Sequence, residues 1–150
     1  MKPGKVRAIA LCIFQNEGRI LAARGYDPVK NQVFYRPLGG TIEFGEPAAV
    51  TVVREIQEEL NLESTGMHYL GTLENIFTFA GKSGHEIVMI FDGIFVDSSV
   101  YNQPVLHGKE GDNEPILAEW IKLDDYSTGN AGSLPPLYPT GLYELLRGIK

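Results

Sequence analysis

The chain has a single cysteine in 150 residues, so no disulfide can form within it. Cys12 lies in the apolar run AIALCIF, where a buried core thiol is the ordinary expectation. Disulfide-free usage fits a reducing cytoplasm. Long apolar runs are missing too, and no stretch suffices to span a bilayer. No small-residue cleavage site follows the N-terminal apolar run. Basic residues are in deficit: 13 Lys and Arg against 19 Asp and Glu leave a net charge of −6. That balance speaks against non-specific binding to nucleic acid or to a membrane surface. There is no internal repeat, no low-complexity tract and no linker rich enough to split the chain. A soluble cytoplasmic protein with one domain over residues 1–150 is expected, large enough for an ordinary core. An anionic substrate must then be met by a local Arg/Lys pocket or by a bound cation.

Alternating and β-branched segments are plentiful. KVRAIALCIF ends at the turn signal QNEGR, and RILAAR follows, so the two read as a hairpin or as adjacent strands. QVFYRP is a third short strand, stopped by Pro37 and the Gly39-Gly40 pair. MHYLGTLENIFTF and HEIVMIFDGIFV are strand-like around the turn AGKSG, and AEWIKL is a last short strand. Helices are expected over Pro47 to Leu60 and roughly Thr140 to Arg147. Several strands with two unlike helices imply an α/β sandwich around a mixed sheet.

The first helix carries the chemistry. Pro47 suits a first helical position, and Glu46 before it favours the positive end of the helix dipole. Ala49, Val52, Val53, Ile56 and Leu60 form an apolar stripe for the core. Glu55, Glu58 and Glu59 have i, i+3, i+4 spacing and lie side by side on another face. Asn61 can take a left-handed cap. Taken alone, such a helix fits either a solvated acidic face or a cation site. Gly39, Gly40 and Gly45 on its N-terminal side let backbone pass close to a ligand, and carbonyls there can join a coordination shell. Carboxylates and a carbonyl, without His or Cys, suit Mg²⁺ or Mn²⁺ better than Zn²⁺.

The whole segment resembles the Nudix hydrolase signature. Gly40 is followed by five residues, Glu46, seven residues, and then Arg54-Glu55-Ile56-Gln57-Glu58-Glu59-Leu60-Asn61-Leu62. Asn61 stands where that family usually has Gly, and the order PLGG replaces the commoner Leu-Pro-Gly-Gly. The resemblance implies a Nudix-type α/β/α sandwich with a mixed sheet and a catalytic loop-helix-loop. It also implies divalent-metal-dependent cleavage of a diphosphate in a small nucleoside diphosphate linked to another group X. By position, Glu55, Glu58 and Glu59 are the metal-binding carboxylates, with a carbonyl of Gly39 or Gly40 as a further ligand. Arg54 and Glu46 orient the helix. A Glu from a loop outside the box completes the site in some relatives, and GKEGDNEPILAEW offers Glu114 and Glu110. Glu114 is preferred as metal ligand or base because it lies nearer the strand start at Trp120, whereas Glu110 sits between Gly108 and Gly111.

Other residues are weaker candidates. Arg24 and Arg36 can meet phosphate oxygens, although surface ion pairing is the plain alternative. Phe77, Phe79 and Tyr35 can stack on a base, but strand aromatics usually belong to the core. His85 reads as an ordinary turn histidine and Trp120 as core. The rival function is a nucleotide-sensing module that kept the fold without catalysis, and behind it an interaction domain with a merely acidic helix. A homodimer is left open.

Overall fold

A computed structural model describes residues 4–127 and 131–148. The elements are β1 (Val6–Ile13), β2 (Gln15–Asn16), β3 (Arg19–Asp27), β4 (Gln32–Arg36), β5 (Leu38–Thr41), α1 (Ala48–Leu60), β6 (Ser64–Phe79), β7 (Lys82–Phe95), β8 (Val105–Lys109), β9 (Pro115–Lys122) and α2 (Leu142–Arg147), with short 3-10 turns between some of them. The strands form two sheets. The first has the order β5-β1-β7-β6 and is mixed, because β1 runs parallel to β7 while the other pairs are antiparallel. The second has the order β2-β3-β9-β8, with β4 also on β3, and is wholly antiparallel. This is the α/β class with a mixed sheet that the sequence implies, with a second sheet added.

The apolar pattern explains the layers. Ile9 to Ile13 of β1 are all buried, as expected of a strand covered on both faces. Ala10, Cys12 and Phe14 pack with Val52, Ile56 and Leu60 of α1. Ile9, Leu11 and Ile13 pack with Val88 and Ile90 of β7 and Leu142 of α2. The two helices therefore cover opposite faces of the mixed sheet. Cys12 is fully buried, and desolvation pushes its thiol far up, so it is an inert core residue.

Several boundaries differ from expectation. β1 and β3 are not a hairpin: the chain passes from one sheet to the other at Phe14, whose ring stacks on Phe95 at 3.8 Å between centroids. The hairpin is instead β2–β3, turned by Glu17 and Gly18, both at positive φ. The turn between β6 and β7 is only Ala80-Gly81, again at positive φ, and Lys82 to Gly84 belong to the strand. The expected glycine loop at Gly39-Gly40 is strand β5, paired with β1 in the register Leu11↔Gly39 and Ala10↔Gly40. β8 was not expected at all. Pro47 is the N-cap of α1 rather than its first residue, and α2 begins at Leu142, not Thr140. Asn61 does take the left-handed cap, at φ 56, with its N–H donating to Gln57 O.

Candidate active site

The acidic helix does not present its three glutamates as one solvated face. The side chain of Glu58 is 59% exposed and that of Glu55 16%, while Glu59 as a residue is only 7% exposed. Helix geometry explains the split. Glu59 lies seven residues after Val52, about two turns on, and so falls inside the apolar stripe. Val53, expected in the core, lies at the stripe's edge and is 37% exposed.

Burial has an electrostatic consequence. Glu59 Oε1 is buried with no hydrogen-bond partner. Desolvation, then the charges of Glu110 and Glu55, push the Glu59 carboxyl up to about 9, against a weaker opposing pull from the Gly39 N–H. Glu55 is also raised, first by desolvation and further by Glu58 and Glu110, while Arg54 opposes. Glu55, Glu59 and Glu110 thus feel one another's charge, although they come from two different elements.

Arg54 organises the N-terminal side. Its Nε and Nη2 donate to the Glu46 carboxylate at 2.8 and 2.9 Å, and its Nη1 donates to Glu55 Oε1 at 2.8 Å. Weaker contacts reach Glu58 and the Thr41 carbonyl. Thr51, a support not expected from sequence, donates its hydroxyl to Glu46 at 2.7 Å. Arg54 and Thr51 together hold the Glu46 carboxyl well down, at about 2. Glu46 is therefore an anchor for the guanidinium rather than a charge on the helix end.

Backbone closeness explains the glycines. A Cβ at Gly40 would lie 2.4 Å from the Glu55 carboxyl carbon, so Gly40 leaves the room in which that carboxylate sits. A Cβ at Gly39, which has φ 153, would lie 2.1 Å from the Ala10 carbonyl oxygen. A Cβ at Gly108 would lie 2.1 Å from the Glu59 carbonyl oxygen, so β8 can seat on the end of α1 only because that residue is glycine. These positions give separable expectations. Gly40→Ala displaces a flexible carboxylate and is expected to leave a folded protein with turnover lowered about a hundredfold, the scale of a small misplacement. Gly39→Ala collides with backbone in the β1–β5 pair and is expected to lower the melting temperature sharply. Circular dichroism melts read beside initial rates check both, and equal melting losses would remove the distinction.

The loop candidates part company here. Glu110 lines a cleft of about 480 Å³ together with Glu59, Gly39 and Gly40. Glu114 is exposed and does not line it. The β8–β9 turn closes on itself through Glu110 N–H to Glu114 O at 2.8 Å and Asn113 N–H to Glu110 O at 2.9 Å. Glu110, rather than the expected Glu114, is therefore the loop carboxylate that the fold brings to the cleft. Closeness in sequence to the strand mattered less than the side of the turn that faces α1.

The scan against family models matches the NUDIX domain over residues 4–141. The chain belongs to the Nudix family. Among solved structures, the MutT NUDIX hydrolase from Burkholderia pseudomallei aligns with TM-score 0.64 and 19% identity, covering 97% of this chain and 99% of that one. The MutT protein from Methanosarcina mazei Go1 aligns with TM-score 0.61 and 18% identity over 99% and 95%. A NUDIX hydrolase from Nitrosomonas europaea gives TM-score 0.62 and 15% identity over 95% and 87%. A search of curated proteins returned no match. At such identities the structural likeness speaks for the fold, and the family match makes the protein a Nudix hydrolase.

The remaining expected residues fall as follows on the Nudix fold. Arg36 lines the cleft, and its Nη2 donates to Glu86 at 3.0 Å. Arg24 also borders the cleft, but strand alternation puts its side chain on the face of its cross-strand partner Tyr35, opposite to that of Arg36. Tyr35 donates its hydroxyl to Glu119 and does not line the cleft. Phe77 and Phe79 do line it, together with Phe34 and Tyr138. His85, expected in a turn, lies in strand β7, and its Nε2 is 2.8 Å from Glu74. Trp120 is half-buried, with its indole N–H on the Gln103 carbonyl. No helix among the described residues is long and apolar enough to cross a membrane.

Nudix hydrolases use divalent metal ions, and the donor set here fits one. It is all oxygen, which suits a hard cation, and it includes a buried carboxylate oxygen with no partner. The carboxylates are not gathered into a ready cage among the described residues. Arg54 draws Glu55 and Glu58 toward itself, so loading an ion requires Glu55 to be shared with or released from that guanidinium.

Proposed function

We propose that the protein hydrolyses a diphosphate linkage in a nucleoside diphosphate joined to another group X, with Mg²⁺ or Mn²⁺. The observation that carries this reading is the buried Glu59 carboxylate, whose Oε1 has no hydrogen-bond partner, lining the cleft with Glu110 and within reach of the charge of Glu55. Glu55, Glu59 and Glu110 would hold the cation, with Glu58 and the Gly40 carbonyl at the margin. There the cation would neutralise phosphate charge and acidify a water. Arg54 and Glu46 fix the helix that carries the first two carboxylates. The water oxygen bonds to phosphorus, the bond to the bridging oxygen breaks, and the water proton passes to a carboxylate. Glu110 is our choice for that acceptor, since it reaches the site from outside the Arg54 cluster.

Chelator is expected to abolish release of phosphate-containing products from a panel of nucleotides and nucleotide sugars, and Mg²⁺ or Mn²⁺ to restore it. Full turnover in excess chelator would sink the reading. Glu110→Gln is expected to lower the rate by about a hundredfold or more and to change the acid limb of the pH–rate profile. Glu114→Gln is expected to behave as wild type. The reverse pattern would return the role to Glu114, and indifference to both would assign the base to Glu55.

A further inference from the structure

The cleft carries a second charged feature, away from the box. Glu86 on β7 is fully buried, a position where an unpaired carboxylate is costly. Two arginines satisfy it. Arg7 of β1 donates through Nη2 to Oε2 at 2.5 Å, and Arg36 of β4 donates through Nη2 to Oε1 at 3.0 Å. Arg7 is the direct partner of Glu86 in the parallel β1–β7 register, whereas Arg36 reaches across from the other sheet. One carboxylate facing two guanidiniums leaves a surplus positive charge. No other ion pair among the described residues takes up either arginine. Both arginines line the cleft while Glu86 does not, and their side chains are 55% and 28% exposed. Each guanidinium keeps further N–H donors in a rigid planar fork. Asn75, in register with Glu86 on β6, lines the cleft at the same level, its Oδ1 occupied by Thr140.

A tie between sheets needs only one arginine on that carboxylate. The second makes the cluster a net cation whose heads are oriented from behind by a buried anion. Its position matters as well. Gly39, beside Glu59, pairs with Leu11, and Arg7 lies four residues earlier on the same strand. That offset is roughly 13 Å along β1. The two phosphorus atoms of a diphosphate share one bridging oxygen, so a diphosphate held at the box does not extend so far.

We propose that Arg7 and Arg36, oriented by Glu86, form an anion subsite for a second phosphoryl or carboxylate group borne by X. Preferred substrates are then diphosphates whose X is itself anionic. Phe34 lies two residues before Arg36 on the same face of β4, with Phe79 and Tyr138 edge-on to it at 5.9 and 5.7 Å. This apolar wall flanks the cation and can receive a ring of X. The proposal rests on the hydrolase reading for its substrate, and the test separates the two.

Two matched pairs isolate the distal charge: NADPH against NADH for a phosphoryl group, with the adenosine half taken as X, and UDP-glucuronate against UDP-glucose for a carboxylate. kcat/KM is measured with Mg²⁺ for wild type, Arg7→Ala and Glu86→Gln. Equilibrium binding of the same four compounds is measured by calorimetry in chelator. Wild type is expected to favour the charged member of at least one pair tenfold or more, chiefly through KM. That ratio should fall toward one in Arg7→Ala. Glu86→Gln should raise KM for the charged member more than it lowers kcat, as expected of a positioning residue. A preference in the first pair alone assigns a phosphoryl group, and in the second alone a carboxylate. If Glu86→Gln fails to fold, Arg7→Ala decides, since its side chain is half exposed. Equal treatment of both members by wild type, or a preference untouched in Arg7→Ala, overturns the subsite and leaves the hydrolase reading standing wherever turnover is seen. No turnover of any of the four, with Arg7-dependent binding of a charged member in chelator, supports the subsite and removes these four as substrates of the hydrolase reading.

Discussion

Glu59→Gln is expected to lower turnover by about a hundredfold or more and, in chelator, to raise the melting temperature. The two effects share one cause. The Glu59 carboxyl is moved from an ordinary 4.5 to about 9 by burial and by its acidic neighbours. The folded, metal-free protein therefore holds a proton that the unfolded chain releases once pH exceeds about 4.5. This residue's contribution to stability is fullest below 4.5 and is lost as pH rises toward 9. Glutamine cannot ionise, so the variant's advantage should widen across that window. Saturating metal should reverse the order, because a ligand bound only by the folded state adds about 2.7 kcal/mol at a hundred times its Kd. Melting curves at several pH values, with chelator and with Mg²⁺, read all of this. A variant that melts lower than wild type throughout would mean that Glu59 is a packing residue and no more.

Arg54→Ala is expected to cost both activity and fold, and Arg54→Lys to rescue little. One guanidinium holds Glu46 by two nitrogens and Glu55 by a third, and a lysine ammonium cannot reproduce that fork. Without it, Glu43, Glu46, Glu55 and Glu58 repel with no cation among them. The Glu46 carboxyl sits at about 2 rather than 4.5, so its contribution is present above 4.5 and is lost as pH falls through 2. Wild type should then be the more stable of the two near neutral pH, and its advantage over Arg54→Ala should close as pH falls from 4.5 toward 2. Turnover of the lysine variant within a few fold of wild type would show that charge alone suffices.

Local signals read well in the sequence and tertiary ones did not. The spacing of Glu46, Arg54, Glu55, Glu58 and Glu59, and the cap at Asn61, are properties of one helix and its approach, so the box was legible. The depth of Glu59 was knowable from helical phase, since it repeats Val52 after about two turns, but its acidity argued for solvent. β5 was hidden because LGGT has little strand propensity and is held by β1 alone. β1 and β3 are neither a hairpin nor neighbours because β1 pairs with β5 and with β7, nearly eighty residues away, so proximity along the chain is a poor guide. The choice between Glu110 and Glu114 depended on which way a turn faces, which no pattern of residues encodes.

The seat of β8 on the end of α1, allowed by Gly108, makes the proposed centre a joint between two bodies. Glu55 and Glu59 ride on the helix packed against the mixed sheet, while Glu110 rides on a hairpin of the other sheet. Each sheet alone holds an incomplete set of acidic groups. The alignment of the two, set by the large side chains between them and by a single missing methyl at Gly108, tunes the reactive geometry from a distance. Changes at that seam would reset the catalytic distances without touching any residue that meets the substrate.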